Sequence, residues 1–321
     1  MTRRGVLRLV PWATSLTAAV CLAAQDPVAA VQTAPSPPPL ELLVLGSGGP
    51  GAVGRAASCA LISIAGTPRI LVDAGPGSFA RLGEAHVDLA ALDIVLLTHL
   101  HVDHAAELPG IVKARAVASG KPIRFEIVGP AGRRATRDMP ALPSTRRFVE
   151  LLFGHAGAFA YLEDFAAPVS FKVVEVMRHP PEAPADLVHA QAGIRIHALA
   201  AHHGDAPAVV YRVDAAGRSV AFSGDIDARG LPALERLAAG VDLLVFDTVV
   251  LDPPGSAPIL YQLHSPPRAI GELAARAHVG KLLLTHLSPA VDEHRSEVSA
   301  SIAAHYSGPI VYASDGSTLA P

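Results

Sequence analysis

From residue 40 to the C-terminus, short apolar runs alternate with amphipathic stretches. Runs rich in Val, Ile and Leu predict strands at 41–45, 58–64, 69–72, 93–98, 123–128, 169–177, 193–200, 208–213, 219–222, 242–246 and 280–284. Apolar residues recurring at spacings of three and four predict helices near 104–118, 231–239, 267–277 and 292–304. Strands and helices in this alternation imply a layered α/β fold. The stretch 130–166 breaks the rhythm with Pro130, Pro140 and Pro143, the arginines Arg133, Arg134, Arg137, Arg146 and Arg147, and Phe148, Phe153, Phe159, Tyr161 and Phe165. It reads as an insertion, helical in part, that could lie over an active site.

The segment before residue 40 follows a different plan. Arg3, Arg4 and Arg8 precede an uncharged run from Trp12 to Ala24, the order of a secretory signal peptide over residues 1–24. That run is shorter than the roughly 20 residues a membrane span needs. Thr2-Arg3-Arg4-Gly5-Val6-Leu7-Arg8 resembles a twin-arginine signal. Residues 25–39, ending in Pro35-Ser36-Pro37-Pro38-Pro39, read as an extended linker, and residues 40–321 as one domain. The expectation is an exported protein, periplasmic or secreted, with no stable membrane span once the signal is cleaved.

Composition narrows the chemistry. A formal net charge of -3 lacks the positive excess of most nucleic-acid binders, so no nucleic-acid partner is expected. The two cysteines are Cys21 and Cys59, and signal cleavage would leave only Cys59. An intramolecular disulfide or a cysteine-rich zinc site is then excluded. The 15 histidines are the unusual feature, since histidine is the commonest metal ligand.

Gly46-Ser47-Gly48-Gly49-Pro50-Gly51 fits a dinucleotide-binding pattern, with Asp73 about twenty residues on. Such a loop must open a helix, yet Cys59-Ala60-Leu61-Ile62-Ser63-Ile64 reads as another strand, so a tight turn between strands is expected. The strongest signal is Thr98-His99-Leu100-His101-Val102-Asp103-His104, between a buried-type strand and a helix. At a strand end, His99 and His101 point to one side because side chains alternate, and the helix start presents Asp103 and His104. Further ligand-type residues stand where later strands stop: His202 and His203 after Ile194–Leu199, Asp225 in Ser223-Gly224-Asp225, and His286 in Thr285-His286-Leu287. Imidazoles with carboxylates suit zinc, iron or manganese.

In this order the motifs resemble the metallo-β-lactamase superfamily, most closely the branch of ribonuclease Z, phosphodiesterases and arylsulfatases. The resemblance runs from about Leu40 to Ala313 and implies a four-layer αββα sandwich. It also implies two divalent metals, zinc first, with iron or manganese as alternatives. His99, His101 and His203 would hold one metal, Asp103, His104 and His286 the second, and Asp225 would bridge them. Gly204 and the run to Tyr211-Arg212 favour His203 over His202. Asp73 resembles the family's structural aspartate. His264, in Leu263-His264-Ser265-Pro266, resembles the branch's His-Ser-Thr element, and Asp247 would be its acidic partner. Pro266 and the Phe246-Asp247-Thr248-Val249 run depart from the branch's His-Ser-Thr and His-Glu-Ala-Thr.

The expected activity is hydrolysis of a phosphodiester or sulfate ester in a small, anionic molecule, with Asp103, Asp225, His264 and Asp247 as catalytic candidates. Transfer-RNA maturation does not fit an exported chain, and no convincing Gly/Pro-rich arm is visible. Opening of a lactone or β-lactam ring, a non-catalytic metal-binding protein and a mononuclear iron dioxygenase are the alternatives. His155, inside the aromatic insertion, is a weaker candidate for the same site.

Overall fold

The computed structural model describes residues 39–165 and 167–321. The expected signal peptide, and all of the linker except Pro39, lie outside the described residues. Six strands come first: β1 (Leu40–Gly46), β2 (Cys59–Ile64), β3 (Thr67–Val72), β4 (Ile94–Leu96), β5 (Ile123–Pro130) and β6 (Val169–Val176). Six more follow: β7 (Asp186–Gln191), β8 (Ile194–His203), β9 (Ala206–Ala215), β10 (Arg218–Phe222), β11 (Leu243–Asp247) and β12 (Lys281–Thr285). The chain ends with β13 (Ile310–Tyr312) and β14 (Thr318–Leu319). The helices are α1 (Ser78–Glu84), α2 (Val102–Ala105), α3 (Leu108–Ser119), α4 (Thr145–Phe153), α5 (Leu231–Leu237), α6 (Pro267–Arg276), α7 (Pro289–Glu293) and α8 (Arg295–Ala303).

Two seven-stranded sheets result, one in the order β14-β1-β2-β3-β4-β5-β6 and the other β13-β12-β11-β10-β9-β8-β7. Each is antiparallel on one side and parallel on the other. Strands β4, β11 and β12, in the parallel parts, are buried over nearly their whole length and read as continuous apolar runs. Between the sheets, Leu42, Ile62, Ile70 and Leu96 meet Ile196, Val213, Val220 and Val245. Ile111 and Val112 of α3 pack with Phe125 and Ile127 on the outer face of the first sheet. Leu234, Leu273 and Val298, from α5, α6 and α8, do the same with Phe246 and Leu284 of the second. The expected four-layer αββα sandwich is therefore present.

The sheets are also tied together just ahead of the histidine motif. Tyr211, fully buried on β9, donates its hydroxyl to Leu97 O at 2.8 Å, with Val128 O a second acceptor at 3.2 Å. Val209 N donates to Thr98 O at 2.8 Å. Both bonds fix the chain leaving β4, where the histidine motif begins.

The insertion divides into two parts. Val149 and Phe153 of α4 join the core on the outer face of the first sheet, so the helical part covers that face. In the other part, Pro130, Leu142 and Pro143 line a small apolar notch together with His101. The sequence pattern does not predict strands β7, β13 and β14 or helix α1. The polar Asp186, His189 and Gln191 mask β7, and β13 and β14 are too short to show a period. Replacing Tyr211 with Phe strands the Leu97 carbonyl in the interior. Urea denaturation should show a loss of about 1–2 kcal/mol; an unchanged midpoint would remove the tether from the account.

Candidate metal centre

Strand β4 stops at Leu96, and the next residues carry the first motif. His101 caps α2 with extended backbone, and Asp103 and His104 stand in its first turn. His99 and His104 are buried, while Asp103 is 15% exposed. Their placement rests on Asp73 at the end of β3. The buried Asp73 carboxylate accepts from Thr98 N at 2.8 Å, from Thr98 Oγ1 at 2.9 and 3.1 Å, and faces His104 Nδ1 at 2.8 Å. Asp73 has a positive φ of 61°, a costly backbone state for a residue other than glycine. Close approach also makes Gly75 obligatory: a side chain there would meet Asp103 O at 2.1 Å.

The remaining candidates arrive from the second sheet. His203 ends β8, Asp225 follows β10, Asp247 ends β11, and His286 follows β12. Gly224 has φ +53° and lies against Thr98, which turns the Ser223-Gly224-Asp225 loop toward the first motif. His286 also adopts φ 53°. The glycine turn after β1, expected between two strands, pins the residue that follows this histidine: Leu287 N donates to Ser47 O at 2.8 Å, and Gly49 N donates to Leu287 O at 3.0 Å. His264 follows a short 3-10 turn and is buried.

These side chains converge. His99, His101 and His203 form one group of potential ligand atoms, and His104, Asp225, Asp247 and His286 another. His203 Nε2 lies 3.3 Å from His101 Nδ1, and His104 Nε2 lies 3.0 Å from His286 Nε2. Asp103 Oδ2 is 3.4 Å from His286 Nε2. Asp225 stands between the groups: Oδ2 is 3.7 Å from both His203 Nε2 and His104 Nε2 and 3.9 Å from His99 Nε2, and Oδ1 is 3.4 Å from His286 Nδ1.

The residues fit metal ions. Ligand atoms sharing a tetrahedral zinc at about 2.0–2.2 Å lie roughly 3.4 Å from one another, which is the spacing seen. His99 Nε2, His286 Nδ1 and Asp225 Oδ1 are buried without a hydrogen-bond partner, an arrangement that is costly unless a cation satisfies it. Burial holds His99 well below the usual imidazole range and lowers His203 as well, which keeps both in the neutral, ligating form. Burial opposes charge on His104 too, but the Asp73 and Asp225 carboxylates outweigh it and raise that ring. Burial likewise holds the Asp247 carboxyl up, at about 7.

Two sequence questions are answered by strand alternation and loop path. His203 points into the centre and is held through Nδ1 by Leu263 O at 2.8 Å. His202 turns the other way, to Asp227 Oδ2 at 2.7 Å. The expected pairing of Asp247 with His264 is not formed. His264 Nδ1 faces Asp225 Oδ1 at 3.4 Å, whereas Asp247 joins His104 and His286. The reason is local: Asp247 ends β11 beside β12, in register with Thr285, while His264 belongs to the loop that holds His203. His155 is exposed and joins neither group.

The αββα sandwich and a His/Asp cluster able to bind metal at its strand ends, together with the chain's relatives, place it among metal-dependent hydrolases. The chain belongs to the metallo-beta-lactamase superfamily, which it matches over residues 52–286. Ribonuclease Z of Mycobacterium bovis (strain BCG / Pasteur 1173P2) is 31% identical over 292 residues, covering 86% of this chain and 96% of the relative. Ribonuclease Z of Mycobacterium marinum is 30% identical, covering 78% and 88%. The fold resembles that of the metallo-beta-lactamase fold protein YhfI from Bacillus subtilis, with TM-score 0.63 at 20% identity over 88% of this chain and all of that one. Human tRNase Z, short form, gives TM-score 0.63 at 20% identity, covering 87% and 98%. The expectation of a small ester and no nucleic-acid partner is overturned by the two Mycobacterium relatives, which are ribonucleases by name and align along most of the chain. Net charge misled because it averages over the whole surface.

Replacing Asp73 with Asn keeps an acceptor for Thr98 but turns an amide N–H toward His104 Nδ1. That forces the tautomer in which Nε2 carries the proton and cannot bind metal. Chelator competition should show metal affinity falling by about 10–100-fold with the circular dichroism spectrum intact. Unchanged affinity would contradict the role given to Asp73.

Proposed function

We propose that this chain hydrolyses phosphodiester bonds of a nucleic acid at a dinuclear metal centre. The observation that carries the reading is Asp225, whose two carboxylate oxygens face both groups of histidines and His264 at 3.4–3.9 Å. His99, His101 and His203 would hold one metal, and Asp103, His104 and His286 the other, with Asp225 between them. Asp247, buried beside His104 and His286, would be a further carboxylate for the second metal. Bound metals supply Lewis acidity at the phosphoryl oxygens and lower the pKa of water.

The chain's own residues perform the rest. Thr98 and Asp73 hold the His104 ring by its Nδ1, and Leu263 O holds His203 by its Nδ1, so both present Nε2 inward. His264 directs Nδ1 at Asp225, and its other ring nitrogen would hand a proton to the departing oxygen. Ser265 fixes that loop by donating to Ile226 O at 3.0 Å. The names of the curated relatives support a nucleic-acid substrate for this chemistry.

Two experiments test the reading. Chelator-treated protein should lose turnover of bis(p-nitrophenyl) phosphate and regain it on adding zinc or manganese, and Asp225→Ala should lower both metal content and turnover. Turnover that survives complete metal removal would sink the proposal. His264→Ala should leave metal content intact and slow a diester with a poor leaving group by about 10²–10⁴-fold, while barely slowing the p-nitrophenyl ester. Equal slowing of both would remove His264 as the proton donor.

A further inference from the structure

A track of concave surface leads away from the metal centre, and its lining changes character along the way. It begins at an apolar notch of about 90 Å³ beside His101, walled by Leu100, Pro130, Leu142, Pro143 and Pro207. Pro130, Ala206 and Pro207 are shared with a groove of about 440 Å³ that carries Arg133, Arg134 and Arg178. That groove in turn shares Met177, Arg178 and Ala200 to His202 with a cavity of about 520 Å³ bearing Arg229 and Arg236. Five guanidinium groups therefore stand along the two larger cavities, against one carboxylate, Asp205. The chain as a whole has 26 Lys and Arg against 29 Asp and Glu, so this concentration is local.

The arginines differ in how far they are committed to the fold. Arg133 donates to Pro140 O and lies 3.7 Å from Asp205, and Arg236 donates to Pro181 O and Ala183 O. Arg134 and Arg178 are exposed, and neither takes part in an ion pair among the described residues. Guanidinium groups placed this way match phosphate oxygens in geometry and charge. A notch of proline and leucine walls offers a flat apolar surface, which an unstacked base can cover and a paired base cannot.

We propose that this track binds a single-stranded polynucleotide leaving the metal centre, with one base in the notch beside His101 and the following phosphates on Arg134 and Arg178. The inference rests on the phosphodiesterase reading, because it places the scissile phosphate at the metals. It adds the direction in which the strand runs and the residues that make a polymer a better substrate than a small diester.

The test compares wild type with an Arg134→Glu/Arg178→Glu double variant, and with Arg147→Glu as a charge change on α4, whose residue makes its own ion pair with Glu150. Each metal-loaded protein is titrated into a fluorescent, slowly hydrolysed phosphorothioate oligonucleotide of about 12 nucleotides, and bis(p-nitrophenyl) phosphate turnover is measured on the same samples. The double variant should bind the oligonucleotide at least about tenfold more weakly, with a salt dependence flatter by roughly 1.4 in log–log slope for two lost contacts. Its small-diester turnover should match wild type, and Arg147→Glu should bind as wild type does. Oligonucleotide binding unaffected by the double variant, or weakened equally by Arg147→Glu, would overturn the track. Absent small-diester turnover in wild type would count against the proposed function instead, and the binding comparison would still decide the track.

Discussion

The buried carboxylate of Asp73 is the constraint on which the centre depends. It sits in a left-handed backbone state, accepts from the backbone and side chain of Thr98, and fixes His104 by its Nδ1. Those bonds set where β4 ends, which way His99 leaves it, and which nitrogen of His104 faces inward. A carboxylate buried without partners would be expensive; here its bonds to Thr98 and its contact with His104 also orient a candidate ligand or the residue before one.

Sheet architecture supplies the second half of the centre. Strands β8, β10, β11 and β12 all stop at the same edge of the second sheet, and each delivers one candidate there: His203, Asp225, Asp247 and His286. The bonds from Tyr211 and Val209 to Leu97 and Thr98 hold that edge against the end of β4. Mutual orientation of the two halves thus comes from the packed interior rather than from the loops, consistent with ligands that must meet within a few tenths of an ångström.

Much of this was legible in the sequence, for identifiable reasons. Apolar runs ending in histidine or aspartate marked both the strands and the candidate ligands, so His99, His101, Asp103, His104, His203, Asp225 and His286 could be named as candidates before any geometry was known. The edge strand β7 was not legible, because one face meets water and its polar residues hide the period. Partner choice among buried groups was not legible either. The sequence placed Asp247 with His264, but the β11–β12 register carries Asp247 toward His104 and His286, and loop path carries His264 to Asp225. The positive φ at His286 and the pinning of the next residue, Leu287, by the Gly46–Gly51 turn have no signal in residue type alone.

The central claim is that two metals sit on either side of Asp225. Anomalous diffraction from crystals of the metal-loaded protein, collected at the absorption edge of the bound metal, tests it most directly. The account predicts two peaks about 3.5–4 Å apart, one beside His99, His101 and His203 and the other beside His104 and His286, with the Asp225 carboxylate between them. A single peak, or peaks that leave Asp225 outside the coordination sphere, would contradict it.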